Sequence, residues 1–158
     1  MAKKSEPAAK PSPSPEPADG ELIRRHLAFG WWALAVFTTL GLVLEAAHGL
    51  KLGWYLDLTN ATRRLSFTLG HAHGTLLGLV NIGFAVSIPH AKLSPVALMR
   101  ASWALRAATV LMPLGFFAGG FAFYGGDPGL GIALVPPSAV ILIIGVVAMA
   151  RGFSAGRR

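Results

Sequence analysis

Four apolar stretches, each near the roughly 20 residues that a helix needs to cross a bilayer, dominate this chain and leave little room for any other architecture. They run over about Leu27–His48, Leu65–Ile88, Val96–Tyr124 and Leu130–Ala150, with short polar connections between them. Only 13% of the 158 residues are charged, about half the share of an average soluble domain. The expectation is an all-α integral membrane protein of four helices in an up-down bundle. Such a chain is too short for two large domains and too apolar for an ordinary soluble one.

The formal charge of +7 invites a nucleic-acid reading, but the positions of the charges argue against it. Lys and Arg gather at the ends of apolar runs, where they set topology and meet anionic lipid headgroups. Lys3, Lys4, Lys10, Arg24, Arg25, Lys92, Arg100, Arg106, Arg151, Arg157 and Arg158 fall on one side; Lys51, Arg63 and Arg64 fall on the other. The positive-inside rule then places both termini in the cytoplasm, with a bacterial inner membrane as the expected location. Membrane lipid is the expected partner and nucleic acid is not. Cysteine is absent, which removes disulfides, thiolate metal sites, iron–sulfur clusters and covalent c-type haem attachment.

Residues 1–20 are rich in Pro, Ala, Ser and Lys and read as a disordered cytoplasmic tail. Residues 21–158 form the transmembrane domain. Trp31 and Trp32 suit an interfacial position near the start of the first span. Pro113 is expected to kink the third span, and Gly125-Gly126-Asp127-Pro128-Gly129 reads as a tight turn.

Chemistry concentrates in Gly70-His71-Ala72-His73-Gly74, inside the second apolar run. Ionisable residues within a span are costly and mark a functional site by default. At 1.5 Å rise per residue, Glu45, His48, His71 and His73 all lie within roughly 12 Å of the outer boundary. Arg63 and Arg64 sit just above that layer. Thr38, Gly41, Glu45 and His48 recur at spacings of three, four and three, a small and polar stripe expected to face the interior. Gly70, Gly74 and Gly78 form a small-xxx-small seam open to another backbone or a flat cofactor. His71 and His73, about 200° apart on a helix, flank that seam and cannot both point along it.

Ala72-His73-Gly74-Thr75-Leu76-Leu77 resembles the second transmembrane helix of haem-copper oxidase subunit I. A histidine in that setting ligates the low-spin haem in that family, and the expected outside-to-inside direction of the helix matches. The resemblance covers some fifteen residues and implies His73 as an axial ligand of b-type haem, with Arg63 and Arg64 as propionate partners by role. This chain has four spans where that family has about twelve, and it lacks the family's copper-site histidines. A second axial ligand would have to be local, His48 first and His71 next. Oxygen reduction in that family's manner is not expected.

The leading expectation is therefore a small membrane protein binding haem b, or alternatively copper, near the outer face, in electron transfer or redox and ligand sensing rather than as an enzyme. Imidazole suits both metals; for copper the set is His73, His48, His71 and Glu45. A cofactor-free accessory or assembly subunit of a larger, respiratory-type membrane complex is the alternative. Such a subunit would dock, or self-associate, through Gly70, Gly74 and Gly78. A proton relay through Glu45 and the histidines ranks below both. His26 and His90 read as ordinary boundary residues, and Arg106, two turns into its span, can snorkel outward.

Overall fold

The computed structural model describes residues 17–155, so the expected disorder of the tail lies mostly outside the described residues. Four helices make up the fold: α1 Pro17–Gly49, α2 Thr62–Ser87, α3 Pro95–Phe121 and α4 Val135–Ser154. All four are long and apolar enough to cross a membrane, by length and composition. The first begins ten residues before the expected span, so His26 lies well inside a helix rather than at its edge.

The breaks between helices follow turn and cap chemistry. Asn60 accepts the backbone N–H of Thr62 at the start of α2, 2.9 Å away. Ser94 caps α3 through the N–H of Ala97, and Pro95 follows where its missing N–H costs nothing. The expected glycine turn is the tip of a small hairpin, in which Phe123 pairs with Pro128 and Tyr124 with Asp127. Gly125 and Gly126 both have positive φ, as a type I′ turn requires. Pro113 lies within α3, which continues through it to Phe121.

Sequential helices alternate in direction. One apolar cluster joins Leu22 of α1, Phe84 and Ile88 of α2, Ala101 and Leu105 of α3, and Met149 of α4. This is the proximal end, where α1 starts. A second cluster joins Ala47, Tyr55 and Phe67, with Phe117 against it, at the distal end where α1 finishes. Packing between helices runs chiefly from each helix to its chain neighbour. Over their most apolar 18 residues, α3 is 56% buried and α2 39%, but α1 only 17% and α4 11%. The middle pair is thus the core, and α1 and α4 are its flanks.

Small residues decide how α1 meets α2. A Cβ on Gly30 would fall 2.7 Å from Ile82 and 2.8 Å from the Gly78 carbonyl, so the two backbones touch there. Gly74 receives the ring of Phe37, and Gly70 receives Phe117 of α3. The seam of Gly70, Gly74 and Gly78 is buried and filled from within the chain. A partner helix would have to use another face.

The polar stripe of α1 corrects a second expectation. Thr38, Glu45 and His48 are exposed, and only Gly41 turns toward α2. The inward face carries Gly30, Ala33, Phe37, Gly41, Leu44 and Ala47 instead. Close approach favours the face with small side chains, and the polar stripe is left beside it.

Candidate functional site: the histidines of the helix pack

The two histidines of α2 take opposite edges of its buried face, as their spacing predicts. His71 leans toward α1, with its ring over Gly41 and its Nδ1 2.7 Å from the Phe37 carbonyl oxygen. A carbonyl can only accept, so Nδ1 carries the proton. His73 leans toward α3, with its ring 4.9 Å from that of Phe116. Its Nδ1–H donates to the Leu69 carbonyl at 2.8 Å. Among the described residues neither Nε2 has a hydrogen-bond partner, and neither is sealed from its surroundings. A Nδ1–H held by a carbonyl, with Nε2 left open, is the state a metal-ligating imidazole adopts.

His48 and Glu45 do not join His73. They line a recess of about 310 Å³ with Tyr55, Arg64, Leu65 and Thr68. Arg64, Thr68 and His71 follow one another at i, i+4 and i+7 along α2, on the side opposite His73. His71 therefore shares the side of Glu45 and His48, and the expected His73–His48 pair is not brought together. Glu45 and Arg64 line the same recess without closing to ion-pair distance. No three His, Cys, Asp or Glu side chains gather among the described residues into a set able to hold a metal ion.

Arg63 is committed elsewhere. Its guanidinium lies 5.0 Å from the rings of both Trp54 and Phe123. It donates to the carbonyls of Trp54 and Gly120, tying the α1–α2 loop to the end of α3. In the same loop, Asp57 accepts from the hydroxyl and N–H of Thr59 and from the N–H of Asn60. The Thr59 hydroxyl bond foremost holds the Asp57 carboxyl below its ordinary value.

The most enclosed polar cluster centres on His26, which is a buried tie between helices and not the ordinary boundary residue expected. His26 and Asn81 are each 0% exposed. Asn81 Nδ2 donates to the Leu77 carbonyl and to Thr109 Oγ1, both at 2.8 Å. That fixes Asn81 Oδ1 toward His26 Nδ1, 2.8 Å away, so Nδ1 must carry the proton. The remaining His26 nitrogen, Nε2, pairs with Ser102 Oγ at 2.8 Å. Thr109 in turn donates to the Leu105 carbonyl. Every buried side-chain polar atom of the described residues finds a partner. With both nitrogens used, His26 is a tie between α1, α2 and α3, with no lone pair to spare for a ligand.

A usable signal for this cluster existed. Counted by depth, His26, Asn81 and Ser102 lie in the proximal halves of their helices, and Thr109 lies next to the middle of α3. Polar residues matched in depth on neighbouring spans point to one another. No family model, curated protein or solved structure matches this chain.

Proposed function

We propose that the chain is an integral membrane protein, with both termini in the cytoplasm, that binds b-type haem through His73 and serves in electron transfer or redox and ligand sensing. The state of that imidazole carries the reading: Nδ1–H is anchored on the Leu69 carbonyl and Nε2 is open. The resemblance of Ala72–Leu77 to the haem-ligating helix of haem-copper oxidase subunit I points to the same residue.

The donor set fits haem better than copper. A porphyrin brings four nitrogens of its own and asks the protein for one or two imidazoles, whereas a copper ion bound by protein alone asks for a gathered cluster. Haem, when bound, would supply reversible one-electron chemistry or a site for a small diatomic ligand. The Leu69 carbonyl would fix the tautomer of His73 and raise its basicity, and Phe116 would hold the ring plane. His71, on the far edge of α2 with Arg64, His48 and Glu45, faces away from His73 and would not share its haem.

A cofactor-free accessory subunit is the second reading. Its support is that both α2 imidazoles already bond to backbone carbonyls, His71 across to α1. Histidines in that role would only join and stiffen helices.

The test is a reduced-minus-oxidised optical spectrum of the full chain, purified in mild detergent from haem-replete cells. We expect Soret and α bands that disappear in His73→Ala and persist in His90→Ala, since His90 is exposed at the far end of α2. A colourless wild-type preparation sinks haem binding and leaves the accessory reading; full haem in His73→Ala sinks His73 as the ligand.

A further inference from the structure

Beside the helix pack, α1 and α3 leave a groove of about 420 Å³ that opens sideways. Both helices start at the proximal end and run parallel, so the groove follows their length. Its walls are Phe29, Trp32, Val36 and Leu40 from α1, and Val110 and Pro113 among the residues of α3. The lining is almost wholly apolar. From Phe29 to Leu40 the groove rises about 16 Å, close to half of the roughly 30 Å hydrocarbon core. It is one leaflet deep.

At the proximal mouth stands Arg106. Its guanidinium lies 5.7 Å from the ring of Phe29 and 5.2 Å from that of Trp103. Among the described residues it makes no ion pair and no hydrogen bond; the two ion pairs there join Arg24 and Arg25 to Glu21. A half-buried cation held on two aromatic faces, with five unused N–H donors, is suited to bind a phosphate oxygen. Trp103 is 62% exposed and Trp32 73%, so both indoles face outward, and in the proposed orientation they suit the level where headgroups meet chains.

We infer that this groove is a binding site for an anionic phospholipid of the inner leaflet, with one acyl chain along α1 and α3 and its phosphate on Arg106. The inference rests on the membrane orientation proposed above and is independent of haem. Charge and length choose the occupant together. A zwitterionic lipid offers Arg106 the same phosphate but carries its own cation beside it, whereas an anionic lipid leaves that charge for the guanidinium alone.

The full-length protein in mild non-ionic detergent is titrated with phosphatidylglycerol and, separately, with phosphatidylcholine of the same chains, and bound lipid is counted by native mass spectrometry. One phosphatidylglycerol per chain is expected, held about fivefold more tightly than phosphatidylcholine, the effect of one basic residue near a membrane surface. Arg106→Gln brings the two lipids to parity. Val110→Trp fills the groove without touching the charge and lowers retention of both. Equal binding of the two lipids by the wild type overturns the inference without relying on any variant. An unchanged preference in Arg106→Gln, or a dimer mass in place of the lipid adduct, overturns it as well. Alkaline carbonate extraction of membranes separates the two claims: a chain released by carbonate sinks the membrane reading itself. A chain that stays while showing no lipid preference sinks only the site.

Discussion

At the scale of single residues, His26 and Asn81 carry the tightest polar constraints of the fold. Removing one partner leaves the other buried and unpaired, which costs about 1–3 kcal/mol per orphaned group. His26→Ala and Asn81→Ala should each lower the free energy of unfolding, measured in mixed micelles, by that amount. The double variant should lose less than the sum, because both single changes break the same bond. Full additivity would show that the two side chains act separately. His26 was hidden in the sequence because it follows Arg24 and Arg25, where a histidine passes for another headgroup contact. Its partners lie 55 and 76 residues away, beyond any local pattern. His71 and His73 were legible, since helical spacing alone puts them on different edges of α2.

At the scale of elements, α1 and α2 meet through glycines, and the structure separates those that matter from those that do not. A side chain on Gly78 would press on the Gly30 carbonyl at 3.1 Å and on Leu34 and Ala33. Gly83, five residues further along α2, has nothing within 4 Å of such a Cβ. Gly78→Leu should therefore push α1 off α2 and destabilise by about 1–3 kcal/mol, the usual cost of overpacking. Gly83→Ala should be neutral or stabilise by up to about 1 kcal/mol through helix propensity. Thermal unfolding of both variants measures the contrast, and equal losses would contradict the packing described. The four spans could be read from hydropathy to within a few residues at most ends. Which face of α1 turns inward could not, because the polar stripe and the small stripe lie side by side on one helix. Backbone approach, a three-dimensional quantity, decides between them.

For the whole molecule, the proposed orientation makes a simple prediction. The native chain has no cysteine, so single cysteines can be introduced without first clearing a background. Thr59→Cys, in the α1–α2 loop, should react with a membrane-impermeant maleimide added to intact spheroplasts. Ser94→Cys, at the α2–α3 connection, should react only after lysis. The opposite pattern would invert the topology and move both the haem and lipid proposals to the other leaflets. Layering was also only partly legible: short connections force neighbours to be antiparallel, but they do not say that α2 and α3 form the middle. That follows from the small and polar residues these two helices spend on each other and on α1.

The network joining α1, α2 and α3 also bears on how the chain is made. His26 emerges from the ribosome first, yet its two partners arrive with Asn81 and Ser102, and Thr109 completes the set. In the proposed membrane setting, a helix carrying an unpaired imidazole would wait until then at the bilayer edge or beside the insertion machinery. Assembly of the first helix is thus tied to synthesis of the third. The fourth contributes nothing to that set and adds to a unit already closed. A truncation after the third helix should retain the polar lock, whereas one after the second should be left with an open bond and be cleared by membrane quality control.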